Sequence, residues 1–151
     1  MRAVCLAILL PLLLQAEAVN LSGTWQLNVK RSEWGSKPRP NKVVLNIQHN
    51  EPKYKYDGNV EDADGHITTF SFDGATDGKE YPIKDGAATN KAAVRRLSDQ
   101  VISTQVRYAD GVTEEFSTTR LSDDGKTLIR SIRLKSPQGN ARWREYYERV
   151  Q

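Results

Sequence analysis

Apolar and polar residues alternate along most of this chain with a period of two. Trp25, Leu27 and Val29 stand against Thr24, Gln26 and Asn28; Val43, Leu45, Ile47 and His49 share one face; Tyr54 and Tyr56 alternate with Lys53 and Lys55. Successive side chains of a strand point to opposite faces, so the pattern predicts half-buried β-strands. Phe70 and Phe72 mark another strand over 66–73, and a short one follows a turn at Asp77-Gly78-Lys79-Glu80. Further strands are expected over 88–97, 100–108, 112–121, 127–135 and 141–150. Turn chemistry separates them: Asn50-Glu51-Pro52, Asp62-Ala63-Asp64-Gly65, Asp85-Gly86, Asp110-Gly111, Asp123-Asp124-Gly125-Lys126 and Pro137-Gln138-Gly139-Asn140. No convincing helical stripe is present. The expected fold is all-β: a single antiparallel up-and-down barrel of about 8–10 strands, because closure removes the exposed edges of an open sheet.

The N-terminus follows another pattern. Arg2 precedes an apolar run from Leu6 to Leu14, and Ala16-Glu17-Ala18 supplies a small-residue cleavage site. The run is too short for a membrane span of roughly 20 residues and fits an export signal. Residues 1–18 are therefore expected to be a signal peptide and 19–151 the barrel domain, secreted or periplasmic. The single cysteine, Cys5, leaves with the leader, so no disulfide is available to the mature domain. The net charge of +3 is spread over interspersed lysine, arginine, aspartate and glutamate. That is a solvated surface with no nucleic-acid patch, and a monomer is expected. An outer-membrane barrel is excluded by charged exteriors such as Lys53, Lys55 and Arg133, each costly against lipid.

Gly23-Thr24-Trp25 at the start of an all-β chain resembles the opening of the lipocalin and fatty-acid-binding-protein superfamily. The wider chain resembles secreted bacterial lipocalin-like (calycin-type) proteins through Ser22 to Asn28, Lys30-Arg31-Ser32, Thr76 to Glu80, Leu121 to Leu128 and Tyr147-Glu148-Arg149. The resemblance implies that Trp25 closes one end of the barrel and that Arg149 stacks on its indole, with Gly23, Trp25 and Arg149 in structural roles. It also implies that the proline-containing stretch 30–42 lies across the barrel mouth, with Trp34 as its packing anchor.

Few parts for catalysis are present. His49 and His66 are the two histidines, and nucleophile-elbow and phosphate-loop motifs are missing. Adjacent Glu114 and Glu115 point to opposite faces and cannot act as a carboxylate pair. Asp62-Ala63-Asp64-Gly65 lacks the ligand spacing of a calcium loop. No enzyme activity, cofactor or metal is expected.

The informative residues are polar ones at interior positions. Arg130 shares its face with Leu128, Ile132 and Leu134, and a buried guanidinium must be paired or wet. In the closing strand Arg142, Arg144 and Tyr146 share one face and Trp143, Glu145, Tyr147 and Arg149 the other; periodicity does not choose between them. With Arg144 and Tyr146 inward, they and Arg130 resemble the ligand-carboxylate anchor of intracellular fatty-acid-binding proteins. Matching the chain ends instead puts that family's arginine at Glu145. The expected function is binding of a small hydrophobic or amphipathic, even carboxylate-bearing, ligand. Leu45, Ile47, Tyr54, Tyr56, Phe70, Phe72, Phe116 and Ile132 are the expected lining, and Arg130, Arg144 and Tyr146 the polar candidates. The alternative is a filled barrel that binds another protein through its loops, with Trp34 as the contact.

Overall fold

The computed structural model describes residues 20–150, so the expected signal peptide and the boundary at 18/19 lie outside the described residues. Within them ten strands follow in chain order: β1 (Gly23–Leu27), β2 (Lys42–Asn50), β3 (Lys53–Glu61), β4 (Ile67–Ala75), β5 (Asp77–Asp85), β6 (Ala88–Ser98), β7 (Val101–Arg107), β8 (Glu114–Leu121), β9 (Thr127–Ser136) and β10 (Gly139–Arg149). Each pairs antiparallel with the next, and β1 pairs with β10 to close the barrel. The expected up-and-down barrel is thus the observed one.

The hairpins set the register from which side chains are aimed. After the Asp62–Gly65 turn the β3–β4 ladder runs from Glu61↔Ile67 to Lys53↔Ala75. Asp62 accepts the backbone N–H groups of Asp64 and His66, and Gly65 takes the left-handed φ of +85° that the turn requires. One local expectation differs. Asp77–Glu80 belongs to β5 and not to a turn, because the chain reverses earlier, at Thr76, whose N–H bonds to the Pro52 carbonyl. The residue excess is absorbed as a register irregularity between Asp77 and Glu80. The β4–β5 ladder is the shortest between consecutive strands, with pairs only at Phe70↔Asp85, Ser71↔Lys84 and Phe72↔Ile83.

Burial is concentrated at one end. Leu21, Trp25, Val94 and Leu128 are fully buried there with Phe72 and Ile102. Trp25 donates its indole N–H to the Leu21 carbonyl at 3.0 Å. The Arg149 guanidinium lies 4.2 Å from the Trp25 ring centre and donates to the Ser22 carbonyl at 2.5 Å, so the expected stacking pair is present and ties the first strand to the last. His49 is buried and engaged on both nitrogens: Nδ1 accepts the Leu21 N–H at 3.3 Å, and Nε2 faces Glu51 Oε1 at 3.1 Å. Glu51 also accepts the Thr76 hydroxyl. This network knits the N-terminal segment to two turns under the closed end, so His49 is a structural histidine with both ring nitrogens engaged.

The segment between β1 and β2 packs along β10 at the opposite end. Glu33 and Arg144 exchange backbone hydrogen bonds, each 2.8 Å long. Gly35, at φ +56°, sits so close to the Arg142 carbonyl that a Cβ would lie 2.5 Å from it, which is why this residue has no side chain. Trp34 is buried and donates its indole N–H to the Val29 carbonyl at 3.1 Å. It anchors the loop, as expected, and is not offered to a partner.

Candidate ligand-binding site

The inward faces enclose a cavity of about 220 Å³ above the closed end. Its apolar wall comes from alternate residues of neighbouring strands: Leu45 and Ile47 of β2, Tyr54 and Tyr56 of β3, Phe70 of β4, Ile83 of β5 and Val106 of β7. The aromatic side is continuous. Tyr56 stacks on Phe72 with ring centres 5.4 Å apart, and Tyr54 meets Tyr56 edge-on at 5.6 Å. Two glycines make room for it. A Cβ on Gly58 would collide with the Val44 carbonyl and come within 2.5 Å of the Phe70 ring, and one on Gly74 would come within 2.7 Å of Phe72 and Tyr81.

The opposite wall is polar and ionic. Arg130 of β9 points inward and meets two carboxylates: Nη1 donates to Glu145 Oε2 at 3.1 Å and Nη2 to Glu115 Oε1 at 3.3 Å. Glu145 is the more fully engaged. Its Oε1 accepts the Trp143 indole N–H at 2.8 Å, and its Oε2 also accepts the Tyr147 hydroxyl at 3.0 Å. Glu115 takes one further bond, from the Tyr108 hydroxyl at 3.3 Å. Burial alone disfavours the charge on Arg130, but Glu145 and Glu115 outweigh it and hold its pKa above the ordinary arginine value. The phenols respond to the same field. Burial pushes Tyr56 up to about 12, with Arg130 opposing and Glu115 and Asp85 adding to the rise. Tyr54, Tyr108 and Tyr147 are also raised, chiefly by burial, so all four remain neutral donors at physiological pH.

Several polar groups open into the cavity without a partner. Tyr54, Asn90 and Thr119 line it and are 5%, 5% and 6% exposed. Among the described residues no hydrogen bond is made by the Tyr54 hydroxyl, the Thr119 hydroxyl or the amide nitrogen of Asn90, whose oxygen accepts the Ala109 N–H. Yet, among those same residues, no sealed side-chain polar atom lacks a partner. These groups therefore face accessible space within the barrel.

Of the residues expected to line the interior, Arg130, Tyr54, Tyr56, Phe70, Leu45 and Ile47 do so, Phe72 backs Tyr56, and Ile132 is buried on the same face of β9 as Arg130. Three are on the outside. Arg144 is exposed and faces Glu33 at 3.5 Å; Tyr146 lies under the Arg31 guanidinium at 4.4 Å; Phe116 lies under that of Arg133 at 5.4 Å. The reason is the phase of β10: Trp143 and Tyr147 are buried, and their bulk carries Glu145 inward and turns Arg144 and Tyr146 out. Glu115, likewise, faces in, and this leaves Phe116 out.

Glu145 and Glu115 are wall residues that alternation alone does not single out, although the chain carries a signal for Glu145. The β9–β10 hairpin turns at Pro137-Gln138, and counting outward from Gly139↔Ser136 places Glu145 opposite Arg130. An inward Arg130 therefore requires an inward Glu145.

Two other features do not make a site. A wider depression of about 650 Å³ lies on the outer face among Arg95, Gln105, Phe116, Arg133 and Arg142, but it is open to solvent. Asp62, Asp64 and His66 are close enough together to hold a metal ion, but all three are exposed, and Asp62 is occupied in organising its own turn.

No protein-family model and no curated protein sequence matches this chain. Among solved structures, zebrafish ileal bile acid-binding protein, in complex with cholic acid, is similar to it. The TM-score is 0.57 with 19% identical residues, over 85% of this chain and 98% of that one. The likeness bears on the fold: an all-β barrel of the type that lipocalins and fatty-acid-binding proteins share.

Proposed function

We propose that this protein is an exported carrier that holds one small apolar or amphipathic molecule inside its barrel. The observation that carries this reading is a set of polar atoms on nine-tenths-buried residues, the hydroxyls of Tyr54 and Thr119 and the amide nitrogen of Asn90, opening unpaired into an aromatic-walled cavity. Because these atoms are accessible and not sealed, they are free to pair with the polar group of a bound molecule or with water. The bile acid in the similar barrel supports the same class of function. The cavity favours a compact ligand, since drug-sized sites span roughly 300–1,000 Å³. Binding and not catalysis is the reading, because His49 is committed to structural hydrogen bonds and His66 is exposed beside Asp62. Export rests on the leader pattern of residues 1–18, and a monomer on closure of the sheet without a free edge.

Native mass spectrometry of the protein taken from its own export route, with a denatured extract to identify any companion molecule, tests the reading. A stoichiometric small molecule is the expected result. An empty protein that also refuses a panel of small amphiphiles would overturn it.

A further inference from the structure

The interior charges do not suit an anionic ligand. Among the described residues Arg130 is the one guanidinium that reaches the cavity from the barrel wall, and both its terminal nitrogens are engaged by Glu145 and Glu115. One cation thus faces two carboxylates. A third, Asp85, is exposed at the rim opposite Phe70 across the β4–β5 ladder and borders the same cavity, with no ion-pair partner among the described residues. Two lysines border the opening, Lys37 and Lys84, and both are exposed. Lys37 already rests on the Trp143 ring, 4.1 Å from its centre, so the mouth of this barrel accommodates an ammonium on an aromatic face.

The remaining acceptor capacity lies on the same side. Glu145 is used by Trp143, Tyr147 and Arg130, whereas each oxygen of Glu115 takes a single bond and keeps a lone pair free. Glu115 and Asp85 share this part of the cavity with the rings of Tyr56, Tyr108 and Phe70. Carboxylates among aromatic faces form the environment that recognises organic ammonium groups, through charge-assisted hydrogen bonds and cation–π attraction.

We infer that the ligand is a small cationic amphiphile, an amine or quaternary ammonium on a short apolar body. Its head lies between Glu115 and Asp85 against Tyr56 and Tyr108, and its tail among Leu45, Ile47 and Val106. This inference rests on the carrier reading and narrows it. A carboxylate ligand would meet Glu115 and Asp85 as like charges and would find Arg130 taken.

The test is calorimetric titration at neutral pH with three probes of equal length: octylamine, octanol and octanoate. Octylamine is expected to bind about tenfold or more tighter than octanoate, with octanol between them. Glu115→Gln and Asp85→Asn should each lower the amine-to-carboxylate ratio several-fold; Asp85 is exposed at the rim, so its variant remains informative if Glu115→Gln disturbs Arg130. Octanoate binding as tightly as octylamine, with octanol also bound, would overturn the cationic preference and leave the carrier reading standing. Refusal of all three probes would overturn both.

Discussion

Glu145 stands directly opposite Arg130 across the β9–β10 ladder, and its Oε2 accepts from the guanidinium at 3.1 Å inside the barrel. Breaking a fully buried pair from one side leaves the other charge without compensation, at a cost of about 3–5 kcal/mol; the Arg130 side chain is 28% exposed and that of Glu145 7%, which sets the expectation at the lower end of that range. Arg130→Met, which abandons Glu145 and Glu115 together, should fall at that lower end by urea denaturation. Adding Glu145→Gln to Arg130→Met should recover part of the loss, since two neighbours in one network are not additive. Equal and additive losses would mean that the pair is not coupled.

The pairing of Trp25 and Arg149 predicts two unequal effects. Trp25 is fully buried beneath the barrel, and Trp25→Ala should cost about 3–5 kcal/mol. Arg149 is exposed, and Arg149→Ala should cost about 1 kcal/mol, the scale of a surface cation–π contact. Thermal melts of the two variants check the order; a larger loss from Arg149 would contradict it.

Gly58 is predicted to be intolerant for a reason separate from backbone flexibility. Its absent Cβ is the space that the Phe70 ring and the Val44 carbonyl occupy, and a carbonyl in a ladder cannot rotate away. Gly58→Ala should destabilise by about 1–3 kcal/mol through overpacking. It should also displace Phe70 and weaken ligand uptake, both visible in the aromatic proton spectrum. A silent substitution would show that Phe70 does not press on this point of β3.

Alkaline pH should unfold the protein through its phenols. Tyr56, at about 12 in the fold against an ordinary tyrosine value of 10.0, keeps its proton after the unfolded chain has lost it. The unfolded state then binds fewer protons, so stability falls as pH rises, by roughly 1.4 kcal/mol for each such tyrosine over every pH unit between the two values. The contribution is complete below about pH 10 and is lost progressively from there through about pH 12. Denaturant midpoints followed with phenolate absorbance check this; ionisation of all the tyrosines near pH 10 with no loss of structure would contradict it.

Much of this is legible in the chain. Strict alternation in Lys53 to Tyr56 and the Asp-Gly turns specify an antiparallel barrel, and the apolar neighbours of Arg130 aim it inward. The closing strand is not legible, because both of its faces mix arginine with aromatic residues. Only packing decides between them: Trp143 and Tyr147 fill the interior while Arg144 and Tyr146 clasp the loop outside. Phe116 shows the limit of reading hydrophobicity residue by residue. Its neighbours on the inward face are Glu115 and Ser117, whose burial depends on Arg130, a partner on another strand.

The central claim, that a ligand enters the barrel, is tested most directly by mapping amide chemical shifts while a bound amphiphile is titrated in. Changes should concentrate on Tyr54, Tyr56, Phe70, Ile83, Asn90, Val106 and Arg130, and on the loop around Lys37, leaving the outer-face Phe116, Arg133 and Arg142 still. Changes confined to that outer face would place the binding site outside the barrel and contradict the account.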